Sequence, residues 1–529
     1  MTLRTSLPAQ ATPTALVKNN TMASRGASWH RLARLCSCVM LCVGLSACAL
    51  VPDYERPSLD LPADEQASAN LAADQRAAMV QWWQQFEDPV LTRMIDTALA
   101  SNLDIALQAA RIQQARAQLG LSRAQFYPTL SGQVEASRAK ASLEANPAIR
   151  ASGQSRYSSS YSVAATLDYE LNLFSALAGH EAAEAQLLAA AYTHDAIRLS
   201  VVGDIVANYM SLRAVQREIR ITRGTIETRA EDLELAKKRY QFGAIDQLTL
   251  LQTQAILANA RAQLPQLLEQ ESLLESSLAL LVGKSPRAIM SEAEIEPAPL
   301  QEIALPEELP VLLPSTLVNR RPDIRAAEAT LAASNANVGV ARAQYFPTLN
   351  LTAMIGSAAT SIGSLFESAA EAASVGGAIG APILSFGRIQ ANIEAAKAQR
   401  EQAIIMYRQA VRNAFADVRD ALVGVDVTAE RVRTTRNQVE DYEATLRLAR
   451  ERYNAGSTDL RDVLDAQRQL FSAELQLSQA IRDRFVATAN LFKALGGGWS
   501  DDIEMLPTDI DVGLPDDAAA ATAMEAADD

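Results

Sequence analysis

Residues that could do chemistry are few in this 529-residue chain, and they are poorly placed for it. The four cysteines, Cys36, Cys38, Cys42 and Cys48, all fall within the first 48 residues. No disulfide framework and no cysteine-based zinc site can therefore form in the body of the chain. With only three histidines, His30, His180 and His194, the usual general base and metal ligand are nearly absent. His180 and His194 are 14 residues apart, about four helical turns, too far along one helix to share a metal. They read as surface or inter-helix residues. Gly283-Lys284-Ser285 ends like a phosphate loop, but Leu278 stands where that loop needs its first glycine. No Gly-x-Ser-x-Gly elbow occurs. Arg320, Arg321, Asp323 and Arg325 lie beside Pro322 at a helix start and read as structural pairs. The expectation is a non-enzyme with no metal and no cofactor. A net charge of −14 argues against a general nucleic-acid binder, which needs a basic footprint.

One thiol stands in a pattern of its own, read against an ordinary signal peptide that happens to contain cysteines. Arg25, Arg31 and Arg34 precede the 13-residue apolar run Leu35 to Ala47, the pattern of a secretory signal and too short to span a bilayer. The run ends in Leu45-Ser46-Ala47-Cys48, which looks like a bacterial lipobox: cleavage after residue 47 and lipid on Cys48. Several acyl chains there would anchor stably where one is marginal. Ala49, rather than Asp, follows the cysteine; by resemblance to sorted bacterial lipoproteins this favours the outer membrane. Residues 1–47 are thus the signal peptide and 48–80 an extended segment.

The elements that would hold such a chain are written twice. Arg123-Ala-Gln-Phe-Tyr-Pro-Thr-Leu130 reappears as Arg342-Ala-Gln-Tyr-Phe-Pro-Thr-Leu349, and Leu235-Ala-Lys-Lys-Arg-Tyr-Gln-Phe-Gly243 as Leu448-Ala-Arg-Glu-Arg-Tyr-Asn-Ala-Gly456. Asp246 pairs with Asp459. The chain is a tandem duplication: a first repeat at 81–284, a Pro-rich linker at 285–315, a second repeat at 316–499 and an acidic tail at 500–529 expected to be disordered. The Ala- and Leu-rich, Gly-poor composition favours long helices. Proline-free stretches from Glu181 to Phe242 and from Ile389 to Ala455 would span about 90 Å each and must pack as coiled coils. Gly243 and Gly456 can end them. Asp88-Pro89 has the order of a helix start.

Between the helices the hydrophobic period changes to two. Tyr161, Val163, Ala165, Leu167, Tyr169, Leu171 and Leu173 share one face of a strand over 161–173. Residues 130–139 alternate more weakly, Leu349, Leu351, Ala353 and Ile355 alternate with Thr348, Asn350 and Thr352, and 375–385 read as a weaker, Gly-rich strand. Each repeat therefore carries one hairpin, at about 126–174 and 345–386, with tips near 143–156 and 358–373. Strands of this length fit a tilted bilayer crossing, but a membrane barrel needs at least about eight, and this chain has four. It can span a membrane only if several copies close one barrel.

These features together resemble the TolC-like outer membrane efflux proteins, specifically the NodT-type lipoproteins of tripartite RND pumps, over residues 48 to about 499. The carriers are Leu45-Ser-Ala-Cys48, Pro52-Asp-Tyr-Glu-Arg-Pro57, Trp82-Trp83 with Phe86 and Asp88-Pro89, Arg320-Arg-Pro-Asp-Ile-Arg325 with Glu328, Tyr345-Phe-Pro-Thr-Leu349, Ser385-Phe-Gly-Arg388 and Leu495-Gly-Gly-Gly-Trp499. The resemblance implies a mainly α fold with a membrane β part. Long coiled-coil helices would form a periplasmic α-barrel, and a homotrimer would share one 12-stranded β-barrel. It also implies a belt formed by the linker and termini, adaptor-docking tips at Gly243, Asp246, Gly456 and Asp459, and a periplasmic aperture lined by Asp462 and Asp465 with Arg461 beside them. Implied partners are a periplasmic adaptor, an inner-membrane RND transporter and outer membrane lipids, with no nucleic acid. One departure stands out: the family's Gly-Arg pair after the second strand is missing, and residues 174–179 read Phe-Ser-Ala-Leu-Ala-Gly.

Three functions compete. An exit duct for drugs or small toxic compounds accounts for both strands and helices. A type I secretion duct is its nearest rival. A non-pore coiled-coil lipoprotein would have no need of the alternation at 161–173.

Overall fold

The computed structural model describes residues 51–59, 79–145, 147–152, 155–290, 300, 303–305 and 318–499. The expected signal, Cys48, most of the linker and the acidic tail lie outside the described residues. In chain order the described elements are α1 (Pro89–Ser101), α2 (Leu103–Ala124), β1 (Thr129–Lys140), α3 (Pro147–Ser152), β2 (Tyr157–Leu171), α4 (Leu173–Gln241), α5 (Gln247–Leu281) and α6 (Pro286–Met290). They continue with α7 (Pro322–Ala343), β3 (Thr348–Ala359), β4 (Glu371–Gly380), α8 (Arg388–Asn454) and α9 (Leu460–Ala494).

The helices α4 and α8, of 69 and 67 residues, are each about 100 Å long. Both end the same way. Gly243 and Gly456 take φ of +72° and +71°, and the next amide reaches back five residues to close a six-residue turn, Ala244 N to Arg239 O and Ser457 N to Arg452 O. This closure needs a left-handed residue and so selects glycine. Asp246 and Asp459 then cap α5 and α9. Each long helix thus folds back on a 35-residue partner.

Shorter helices extend those partners upward. α5 ends against the start of α2: Asn102 caps α2 through its side-chain oxygen while its amide nitrogen donates to Leu281 O at 2.8 Å. The fit is close enough that a Cβ on Gly283 would lie 2.2 Å from Ser101 O. α9 meets α7 likewise, with Arg321 donating to Ala494 O at 3.1 Å and pairing with Asp323 and Asp417. Arg325 lies over the Tyr192 and Trp499 rings. The arginine cluster at this helix start is structural, as expected.

Where these ends meet, an aromatic core forms. Trp82 stacks on Phe492 at 5.2 Å and sits edge-on to Trp83 and Phe86, while Phe86 meets Phe485. Asp88 caps α1 and accepts from Tyr209 Oη, which in turn accepts from Arg213. His180 contacts Ser122 and the Phe126 ring, and His194 contacts Asp195.

The four strands form one antiparallel sheet in the order β1-β2-β3-β4, so β2 and β3 join the two repeats edge to edge. The first hairpin closes within the expected tip region. The second is offset: β4 covers Glu371–Gly380, not 375–385. Pro382 has no amide to donate to a ladder, and the Gly376-Gly377 pair weakens the alternation that would have fixed the register. The two strand-to-helix junctions also differ. The second uses left-handed Phe386 and Gly387. The first, lacking that pair, starts α4 directly under an Asn172 cap and packs Phe174 on Phe346, ring centres 4.6 Å apart.

Candidate functional site

The sheet register places the alternating apolar residues Tyr161 to Leu171 on one side, while Leu173, expected to continue the strand, instead opens α4. Directly opposed residues of antiparallel strands point to the same face. Val134 pairs with Val163, and Leu130 with Leu167. Leu167 pairs with Ala353, Tyr169 with Leu351 and Leu171 with Leu349; Leu349 pairs with Ile379 and Ala353 with Val375. The reverse face carries Gln133, Glu135, Thr166, Asp168, Glu170, Asn350 and Thr352, where Thr352 Oγ1 donates to Asp168 Oδ1 at 3.1 Å. The apolar side is bare: Val134, Ile355, Val375 and Ile379 are 79%, 69%, 90% and 75% exposed. Among the described residues both outer strands, β1 and β4, keep an unpaired edge. An exposed apolar sheet with two open edges needs other surfaces to cover it. Exposed Tyr157 and Phe366 lie toward the hairpin ends, and Tyr127, Tyr345 and Phe386 at the helix side. No helix among the described residues is both long and apolar enough to cross a membrane.

At the far end, the two helical tips lie side by side. Asp462 and Asp465 share the exposed face of the first turns of α9. Asp462 accepts from Thr458 Oγ1. Asp465 accepts from Arg468, and from Gln469 Nε2 at 2.6 Å. Arg461 reaches neither carboxylate; its Nε lies 4.0 Å from Asp459 Oδ2, and its charge acts on Asp246 of the neighbouring tip. Hydrogen bonds from the Thr249 side chain and amide hold the Asp246 carboxyl below the usual range, with Arg461 adding to the effect. In the first repeat the positions matching Asp462 and Asp465 hold buried Thr249 and half-buried Gln252.

Sequence reasoning missed the bonds that join the two hairpins above the tips. Gln467 Nε2 donates to Asp232 Oδ2 at 2.7 Å. Arg239 donates to Tyr453 Oη and lies over its ring. Ser478 Oγ, buried on α9, donates to Ala214 O of α4 at 3.1 Å. These residues are 214 to 264 positions apart and obey no local spacing rule. The chain also missed by motif alone is the strap at 51–59. Arg56 forks onto Glu328, with Nε–Oε1 2.7 Å and the second nitrogen to Oε2 at 2.5 Å, while Tyr54 Oη donates to Glu328 at 3.2 Å. Asn335 Nδ2 donates to Pro52 O at 2.6 Å, and Val51 packs beside Gly339 near the sheet end of α7. Each motif is visible in the sequence on its own; their pairing is not.

Among known proteins, the family model described as "Outer membrane efflux protein" matches residues 94–284 and 313–497, one segment in each repeat. The chain is 31% identical over 464 residues to the solvent efflux pump outer membrane protein SrpC of Pseudomonas putida, covering 86% of this chain and 96% of that one. It is 31% identical over 469 residues to the outer membrane protein OprJ of Pseudomonas aeruginosa, covering 88% and 96%. The open-state crystal structure of the Neisseria gonorrhoeae MtrE outer membrane channel superposes with a TM-score of 0.75 at 30% identity, covering 85% of this chain and 98% of that one.

Proposed function

The chain belongs to the outer membrane efflux protein family, and from that premise we propose that three copies close one duct, which conducts small toxic compounds from the periplasm to the exterior. It is a TolC-like efflux channel of the outer membrane. One observation carries the trimeric reading: the single apolar face with two open edges. Four strands cannot close a membrane barrel, whereas three sets of four exceed the minimum of about eight. The apolar face would then meet lipid, and the Thr352–Asp168 face would line water.

The duct performs no chemistry of its own. An inner-membrane RND transporter supplies energy, and a periplasmic adaptor docks at the Gly243–Asp246 and Gly456–Asp459 tips. Asp462 and Asp465 form carboxylate rings at the aperture, where like charges gathered near one axis attract cations and narrow the pore. Lipid on Cys48 anchors each copy. Val51 lies against Gly339, one turn before α7 ends and β3 follows, and three extended residues reach at most about 10 Å. The strap thus lies at the sheet end of α7, which supports a lipid anchor on that side.

Native mass spectrometry of the purified chain in detergent, with planar-bilayer recording on the same sample, tests this reading. A trimer with stable single-channel conductance is expected. A monomer that conducts nothing would favour the coiled-coil lipoprotein instead. SrpC is named for solvent efflux, so deletion strains should be screened first with apolar solvents and drugs. An unchanged profile accompanied by a lost exported protein would favour the type I secretion duct.

A further inference from the structure

Opposite charges stand at the outward ends of the two open sheet edges. On β1 the face shared by Leu130 and Val134 runs on to Arg138 and Lys140. On β4 the face shared by Val375 and Ile379 begins at Glu371. Arg138 and Lys140 lie over the Tyr157 ring, 5.4 and 5.6 Å from its centre. All three charged side chains are exposed, and among the described residues none has a partner of opposite charge.

The register of the sheet determines what they meet when β4 joins β1 of another copy. Val134 is level with Val163, Ser357 and Glu371 across the four strands. Membrane-barrel strands tilt by about 35–45°. At about 4.8 Å per strand, crossing four strands shifts the ladder by about 13–19 Å, or four to six residues. Handedness fixes the sense of the shift. Ala141 N donates to Arg156 O, so odd residues of β1 turn their amides to β2. Even residues, which carry the apolar side chains, turn theirs to the open edge. For L-residues this places β2 to the left of β1, seen from the apolar side with the hairpin tips upward. Twisted strands of a closed barrel lean to the right in that view, so a ladder followed leftward climbs. Glu371 therefore comes opposite a residue beyond Val134, towards the tip of the next copy. Paired residues share a face, so the shift is even. Its partner is Arg138 or Lys140.

Strand length leads independently to the same two registers. β4 has 10 residues and β1 has 12. With matching faces, only these two alignments seat all of β4 on β1. The first fits the side chains better: Ile379 meets Leu130, Val375 meets Val134, Gly377 meets Gly132, and Glu371 meets Arg138. The second sets Ile379 against Gly132 and Ala373 against Arg138.

We propose that β4 of each copy pairs with β1 of the next in the first register, and that Glu371 forms an ion pair with Arg138 of the next copy at the outward end of every seam. Lys140 stands one pair beyond as a second cation. The proposal rests on the trimeric reading above and adds the register and the charges that select it.

Disulfide trapping in the full chain tests the register. On the polar face the same register sets Ser374 opposite Glu135, a pair without mutual backbone hydrogen bonds whose Cα atoms would lie about 4.5 Å apart. Under mild oxidation Ser374→Cys with Glu135→Cys should give covalent dimers and trimers. Ser374→Cys with Gln133→Cys, or with Ser137→Cys, should not. The ion pair is tested by exchange of exposed side chains. Glu371→Arg should weaken trimer association about tenfold over three seams, and Glu371→Arg with Arg138→Glu should restore it. Native mass spectrometry of each variant separates the possible failures. Trimers in which Ser374 links to Ser137, or to none of these positions, would overturn the register and leave the duct standing. Trimers that the exchange does not restore would overturn the ion pair and assign Arg138 to lipid phosphates. A parent chain that stays monomeric would remove the trimeric reading and the seam together.

Discussion

The tips of the two helical hairpins share one backbone and differ in chemistry. Gly243 and Gly456 take the same left-handed turn, the same six-residue closure follows, and Asp246 and Asp459 cap the next helix in both. Yet the following turns present exposed Asp462 and Asp465 in one copy and buried Thr249 with half-buried Gln252 in the other. The duplicated frame persists because each of its parts answers a backbone demand: a residue free to take positive φ, and an oxygen for an orphan amide. Side chains three and six positions into the helix answer no such demand. They can diverge according to what each copy faces.

The largest expected effect comes from forcing the copies to match. Placing the acidic pair in the first tip, Thr249→Asp with Gln252→Asp, should lower stability by about 2–3 kcal/mol, because a carboxylate would be buried beside Asp246. The helix N-terminus offsets about 1 kcal/mol or less of that. Thermal melting followed by circular dichroism would read the loss. A variant that melts like the parent and gains cation block would mean the two tips are interchangeable. Removing the pair from the second tip should leave folding intact and act on conduction: Asp462→Asn with Asp465→Asn should weaken divalent-cation block in planar bilayers by about tenfold, about 1.4 kcal/mol. Unchanged currents and block would remove these residues from the aperture. The smallest effect concerns the shared cap. Since the Asp246 pKa is depressed, its capping should persist as pH falls through the ordinary carboxylate range near about 4 and fade only below it. Hydrogen exchange at the Thr249 amide, compared with Asp246→Ala, would show this; protection lost already above that range would contradict it.

Much of this architecture can be read in the sequence, and what cannot has a common cause. Period-two alternation locates β2 because its residues fall in turn on the apolar and the polar face of the sheet. β4 is displaced in the sequence reading because Gly376, Gly377 and Gly380 carry no side chains to mark a face. Helix ends are legible at Gly243 and Gly456, where local backbone geometry selects the residue. The bonds of Arg239 with Tyr453, Gln467 with Asp232, and Arg56 with Glu328 join segments more than 200 residues apart. They follow from tertiary register alone.

The pairing of β2 with β3 has a further consequence for assembly. A ring of single hairpins would need six separate chains and six intermolecular seams. Fusing two hairpins in one chain makes every second seam internal, where the effective concentration of the partner edge replaces its dilute concentration in the membrane. In the trimer proposed above only three chains must then meet, so assembly depends on the third power of protomer concentration instead of the sixth. The same fusion breaks a sixfold arrangement into alternating halves. That is why a carboxylate can be confined to every other tip of the ring.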